Sequence, residues 1–323
     1  MKSWRLTLLL TAVSCTLLID AAFAQPLEKV RVAVSFLGLW TSSQPTFCRD
    51  RGEFRKAGLD VDVLSTRGGS ENVQAVVTGA ADIGYGAGIA SVFAAAMRGA
   101  KIKIISSNYI GQSDSFFYVR ADSPIKSIAD IQGKTIAYTR PGAVSEALLR
   151  GLKTEKKIDF KTVSGGAMDA IYVMTMTGQI DIGYSVPPFG IDAVRKGDIR
   201  PVFDGNVVMS QRDVVSRVNI ANADFVKDRR EVGTRFLKTL NQCISWMYKN
   251  KAEAAKIYAA LNKIDDDIAS RSVVYYPQSN MALTPLRGFD AAIKQAIEDK
   301  FIDKAPTKAQ VTNLVDLLYQ PGG

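Results

Sequence analysis

The chain contains no histidine in 323 residues, and that absence removes whole classes of chemistry. Ser/His/Asp and Cys/His nucleophilic arrangements are excluded, and so are HExxH zinc sites. Cysteine is nearly as scarce. Cys15 lies in the N-terminal segment, and Cys48 and Cys243 are too far apart to form a CxxC metal pair. In an oxidising compartment Cys48 and Cys243 could bond, or each could be a small buried hydrophobe; spacing alone does not decide, because it does not place their α-carbons. Nucleotide loops are missing as well. Gly133-Lys134-Thr135 ends like a phosphate loop, but Ile128 stands where its first glycine belongs. Gly84-Tyr85-Gly86-Ala87-Gly88 fails as a dinucleotide fingerprint because Ile89 and Ser91 occupy the third positions. No cofactor or metal is called for, and an enzyme would be left with carboxylate or lysine chemistry.

Long apolar runs are also lacking beyond the start; none approaches the roughly 18 residues that a membrane span requires. The start itself reads as a secretory signal over residues 1–24. Lys2 and Arg5 form a basic opening, Leu8 to Leu18 a short apolar stretch, and Ala22-Phe23-Ala24 a cleavage site before Gln25. Cys15 offers a rival reading as a lipid-modified cysteine, but Ala12 lies where a lipobox prefers leucine. The expected mature chain is periplasmic and soluble. Loss of Lys2, Arg5 and Asp20 takes the formal charge from +9 to +8. Nucleic acid is not the expected partner, since an exported protein rarely meets it, and the basic runs read as solvated helix faces. At 47% hydrophobic residues the chain can bury a large core, and its length suits two domains.

What is present is a phrase used twice. TGAADIGYG at Thr78 to Gly86 returns as TGQIDIGYS at Thr177 to Ser185, and each copy follows a helix-like stretch that opens after a glycine pair. Asn72, Val73, Val76 and Val77 give an apolar helical face, Gly79 a left-handed stop, and Ala81 to Tyr85 a buried strand. Ile171, Met174, Gly178 and Ile180 to Tyr184 repeat the plan. A helix followed at once by a buried strand is half of a βαβ unit, and parallel sheets present ligands at the carboxyl ends of their strands.

Around the first copy the pattern gives strands at 30–36, 59–64 and 102–106, with SFLGLWTSSQP as a loop, then helices at 46–57 and 89–98. This reads as an all-parallel first unit. SFFYVR at 115–120 is a strand, and a second α/β series follows it, with strands at 135–138, 160–163 and 199–203 and helices at 143–153 and 188–195. Val214 to Ile220 alternates and is expected to pair with SFFYVR. Helices fill the remainder, from Arg229 to Tyr319, with no sheet of their own.

At this point the chain resembles a known family. GEFRKAGLDVDV at Gly52 to Val63, the two repeated phrases, SPIKSIADIQGKTIAY at Ser123 to Tyr138 and the secretory start together look like the periplasmic substrate-binding proteins of ABC importers. The most similar branch is the one for nitrate, taurine, aliphatic sulfonates and thiamine precursors. The resemblance implies an α/β, two-lobed, type II periplasmic-binding-protein fold, each lobe a parallel-dominated sheet flanked by helices, with the C-terminal helices packed on the first lobe. The boundaries expected are a first lobe at 25–115, a hinge strand at 116–120, a second lobe at 121–213, and a return strand with C-terminal helices at 214–323. It also implies a monomer that captures a small-molecule ligand, anionic or neutral, between its lobes and hands it to an ABC permease in the inner membrane. A sensor for a membrane receptor would look the same. A related enzyme class that makes the thiamine pyrimidine consumes a histidine and uses a cysteine-rich iron site, and both are absent here.

Candidate ligand residues follow. The turn from Thr139 to Ser145 joins a strand to a helix, so free amides point outward together at Arg140, Gly142, Ala143 and Ser145; the same turn is also an ordinary helix start. The resemblance transfers ligand contact onto Gly142, Ala143 and Ser145, with Ala143 standing where the family often has serine. The first loop brings Gly38, Leu39 and Trp40, and a tryptophan in a loop either walls a cleft or packs on its own lobe. Ser70 opens the first repeat's helix and Met168 the second's; Tyr85, Gly86 and Ala87 end one repeated strand, and Tyr184, Ser185 and Pro187 end the other. Asn108, expected just after the strand at 102–106, matches a family position for a polar contact. Tyr184 to Phe189 lacks the acid that the family often carries near its proline, which favours a neutral or anionic ligand over an ammonium-bearing one.

Overall fold

The two copies of the repeated phrase fold alike in a computed structural model that describes residues 26–140 and 143–320. The expected secretory signal, Cys15 and Gly142 lie outside the described residues. In each copy a helix, α3 (Gly69–Val77) or α6 (Met168–Met176), ends two residues before a glycine, Gly79 or Gly178, with φ of 75° or 74°. The chain then reverses into β3 (Ile83–Gly88) or β8 (Gly183–Ser185). The repeated aspartates have one job. Asp82 accepts the Arg31 backbone N–H and Asp181 that of Thr135, both at 2.8 Å, which ties each phrase to a neighbouring strand. Gly84 and Gly183 are required by close approach, since a Cβ there would strike Asn72 and Val76, or Tyr118 and Thr175.

The first lobe carries a five-stranded sheet in the order β2-β1-β3-β10-β4. β1 (Glu28–Ser35) pairs in parallel with β2 (Leu59–Thr66) and β3. The all-parallel expectation fails at β10 (Val215–Asn222), which enters antiparallel between β3 and β4 (Ile102–Ile110). It does not pair with β5 (Phe116–Arg120), because β8 and β9 (Ile199–Asp204) occupy both edges of that strand. β4 also runs four residues beyond the expected end, so Asn108 is a strand residue. The first helix, α1 (Trp40–Asp50), begins inside the expected loop and passes through Pro45. A proline there removes one helical N–H; complete burial of Trp40, Phe47 and Cys48 offsets the loss. The short α2 (Glu53–Lys56) follows, and α4 (Ile89–Met97) links β3 to β4.

In the second lobe the expected hinge strand β5 is the centre of an antiparallel β8-β5-β9 sheet. β6 (Thr135–Tyr138) and β7 (Lys161–Ser164) form a parallel pair joined to it by a bridge from Ile136 to Ile182. α5 (Val144–Lys156) and α7 (Ile191–Lys196) cover these strands. The chain crosses between lobes at 111–115 and again at 205–214, where the one-turn α8 (Met209–Arg212) sits.

α9 (Ala223–Asp228), α10 (Arg230–Lys249) and α11 (Lys251–Asn262) return to the first lobe, and α13 (Phe289–Glu298) packs on α4. α12 (Asp266–Val273) departs from the expectation by touching α7 of the second lobe. After α14 (Lys308–Leu314) the chain lies along the outer edge of β4, where Asp316 and Leu318 donate backbone N–H groups to Ile104 and Ile105 at 2.9 and 3.1 Å. α1 and α10 bring Cys48 and Cys243 together as a disulfide, with Cα atoms 6.0 Å apart.

Among the described residues, two polar contacts cross the open side between the lobes. Arg140 donates to the Arg67 carbonyl at 3.2 Å and stacks on Phe36, while Arg150 of α5 lies 3.3 Å from the Asp299 carboxylate that follows α13. Burial pushes the Asp299 carboxyl up from its usual range; the Gln295 hydrogen bond and the Arg150 charge oppose that only in part, and Glu146 and Glu298 reinforce it.

The disulfide spans 195 residues. Replacing both cysteines with serine should cost about 2–5 kcal/mol, read as a lower urea midpoint; equal midpoints would mean that the bond contributes nothing. A carboxyl whose folded pKa is raised contributes stability that is fullest below its unfolded range and is lost as pH rises through the folded value. Asp299→Asn should therefore stabilise the protein at neutral pH and bring no gain below the carboxylate range. A loss of stability at neutral pH would show that the ion pair with Arg150 outweighs the cost of burial.

Candidate functional site

Between the lobes lies a cavity of about 900 Å³. From the first lobe it is walled by the turn after β1 (Phe36, Leu37, Leu39), the start of α3 (Gly68 to Ser70), the end of β3 (Tyr85, Gly86), Ile89, Asn108 and Arg217. From the second come Thr139, Arg140, the start of α5 (Ala143 to Ser145), Met168, Tyr184 and Val186. Each set stands where its sheet ends and a helix begins, the location that parallel α/β strands provide for ligands. Aliphatic and aromatic side chains supply most of the exposed surface, and many hydroxyl, amide and charged side chains stand among them.

The polar groups divide by depth. Near solvent, the exposed Arg67 pairs with Glu71 at 3.3 Å, and the Arg67 backbone N–H and side chain hold the Glu71 carboxyl below its usual range. Ser145 Oγ accepts the Thr139 backbone N–H at 3.0 Å and lies 3.0 Å from Thr139 Oγ1, where either hydroxyl can donate, and so staples the turn. Ala143, the residue before α5, supplies no capping side chain, so the first amides of that helix lack a side-chain acceptor.

Deeper in, β10 supplies the polar wall. Arg217 and Asn219 alternate with Val218 and Ile220, which enter the core on the sheet's other face. Arg217 makes a 2.6 Å ion pair with the buried Asp114 and stacks on Tyr109. Burial alone would lower the Arg217 pKa; the Asp114 carboxylate outweighs it, so the guanidinium stays charged. Asn219 accepts from the Gly86 N–H and from Asn108 Nδ2, both at 3.1 Å, and donates to the Ser107 carbonyl. Burial pushes the Tyr85 and Tyr184 phenols up, which keeps both neutral. No group of three or more Cys, Asp or Glu side chains suited to a metal ion occurs among the described residues.

Ten of the sixteen residues expected from sequence line this cavity: Leu39, Ser70, Tyr85, Gly86, Asn108, Arg140, Ala143, Ser145, Met168 and Tyr184. Five do not. Trp40 is wholly buried in the first lobe, edge-on to Tyr248 and Tyr258, and its Nε1 donates to the Tyr248 hydroxyl at 3.1 Å. The helix that starts at Trp40 turns this side chain inward, which a loop would not have done. Ala87 points into the core on the sheet's far face. Gly38 presents its carbonyl to the Tyr258 hydroxyl, Ser185 donates to the Phe189 carbonyl at 2.8 Å, and the Pro187 carbonyl accepts from Tyr276. Gly142 lies outside the described residues. Sequence reasoning missed Arg217, Gln112 and Phe36. The one signal for Arg217 was a charge inside an alternating strand whose other face is apolar.

Comparison with known proteins follows the same lines. A Brucella abortus chain described as a candidate binding protein is 26% identical over 271 residues, which cover 81% of this chain and 80% of that one. Among solved structures, the periplasmic aliphatic sulphonate binding protein SsuA of Escherichia coli has a TM-score of 0.75 at 15% identity, covering 92% of this chain and 94% of that one. The alkanesulfonate-binding protein SsuA of Xanthomonas axonopodis, bound to MOPS, has a TM-score of 0.69 at 16% identity, covering 90% and 98%. These structures share the periplasmic-binding-protein fold expected from the sequence. The NMT1/THI5 like family model matches residues 47–254, well over half of the sequence, and this chain belongs to that family.

Proposed function

We propose that this protein is an extracytoplasmic solute-binding protein that captures a small organic solute between its lobes and delivers it to an ABC permease. The observation that carries the reading is the cavity of about 900 Å³ walled by both lobes. Its size falls in the range of roughly 300–1,000 Å³ that suits organic ligands, and a nitrate ion would leave most of it unfilled. A solute touching both walls binds the closed form better than the open one. That difference in affinity is what shifts the population and gives a permease a form to read. Arg140 and Arg150, which already reach across to Arg67 and Asp299, are the contacts that closure makes and opening breaks.

The relatives support a binding role. The Brucella relative and the two SsuA structures are binding proteins by description, and the absence of histidine leaves little for acid–base catalysis near neutrality. An enzyme reading has no hydrogen-bonded hydroxyl-and-carboxylate pair among the described residues of the cavity to rest on.

The test is thermal unfolding of refolded, ligand-stripped protein against a panel of sulfonates, carboxylates, amides and thiamine precursors. A ligand at a hundred times its dissociation constant adds about 2.7 kcal/mol, a rise of several degrees for a chain of this size. Ala143→Trp, which fills the cavity from the second lobe, should abolish the shift while the unliganded midpoint holds. A shift that survives Ala143→Trp would place the solute elsewhere.

A further inference from the structure

The inner wall of the cavity holds an acceptor with nothing to accept. Asn108 is 1% exposed, and its Oδ1 has no hydrogen-bond partner among the described residues. Its orientation is set by its neighbours. Asn219 receives the Gly86 backbone N–H on Oδ1 and gives Nδ2 to the Ser107 carbonyl, so the Asn219 oxygen can only be an acceptor. Asn108 must therefore turn Nδ2 toward that oxygen, and its own Oδ1 is left unpaired, packed beside Gly86 just behind the cavity lining to which both residues belong. Gln112, 3% exposed on the same wall, likewise has an unpartnered side-chain oxygen.

The cation at this depth does not answer them. Arg217 is paired with Asp114, so the inner end offers an anion no unpaired charge, while the amide oxygens would repel one. Exposed arginines stand instead near solvent, at Arg67 and Arg140. Buried polar atoms are ordinarily satisfied, and an unsatisfied one is costly.

We infer that the solute enters with a neutral hydrogen-bond donor, an N–H or O–H of an amide, amino-heteroaromatic or hydroxyl type, directed at Asn108 Oδ1, and keeps any anionic group outward toward Arg67 and Arg140. This deepens the solute-binding reading and rests on it. A deprotonated sulfonate or carboxylate led in by its acid group is the wrong ligand for this wall, since every oxygen that it presents is an acceptor.

Matched isosteres test the point: benzamide against benzoate, and benzenesulfonamide against benzenesulfonate, titrated into the refolded protein by ligand-observed NMR. The donor-bearing member of each pair should bind at least about tenfold more tightly, the difference expected from satisfying one buried acceptor. Asn108→Leu should erase the preference, and Gln112→Leu should reduce it where Asn108→Leu disturbs the fold. If the two acids bind as well as the amides or better, this inference is overturned and the solute-binding reading stands. If none of the four binds to folded protein, the organic-solute reading falls and takes this inference with it.

Discussion

The backbone hydrogen bonds of β10 hold the architecture together. β3 and β4 each end with an inner edge facing the other across a gap one strand wide, and buried amides and carbonyls without partners are scarcely tolerated in folded proteins. Only a strand that arrives after the whole second lobe has been laid down fills that gap, pairing antiparallel with both neighbours. The excursion through the second lobe is thus enclosed between two commitments to one sheet. The strand that completes the sheet also carries Arg217 to the cavity and sets Asn219 behind Gly86 and Asn108, so the element that closes the fold is the one that sets the site's polarity.

That polarity is graded. Charges that exchange with water stand on the outer wall, where pairs such as Arg67 with Glu71 contribute little to stability but shape the field that an approaching solute meets. Inside, the charged pair of Arg217 and Asp114 is neutral as a unit and is flanked by amides. Breaking such a pair from one side would leave an uncompensated buried charge, which makes it a fixed part of the wall. Apolar side chains between these levels supply surface without direction, and the amides supply the direction.

Much of this was legible in the chain. The repeated phrase located both strand ends that line the cavity, and its glycines and aspartates do in three dimensions what their residue types suggest: reverse the chain, admit a close helix, and cap a neighbouring strand's N–H. The run of C-terminal helices was also readable from period alone, although it was expected to reach Tyr319 and gives way after Leu314 to a segment along β4. What failed were statements about partners. Val214 to Ile220 announced a strand through its alternation, but alternation says nothing about which edge will accept it. Trp40 was misplaced because Pro45 reads as a loop residue, and the burial that overrides a proline is tertiary. Cys48 and Cys243 could not be joined on spacing, since their proximity is made by α1 meeting α10. Asn108 was found, but as a position; that its oxygen is unpaired depends on Asn219, more than a hundred residues later, and on a glycine N–H that no sequence pattern marks.

The outer edge of β4 is covered by the segment from Val315 to Leu318, at the far end of the chain from β1. The first lobe therefore draws its sheet partners from segments on both sides of the second lobe. A ribosome that has just finished β9 has released every strand of the second lobe but neither β10 nor the segment that seals that edge, so a nascent chain can pair the second lobe's strands before the first lobe's sheet can close.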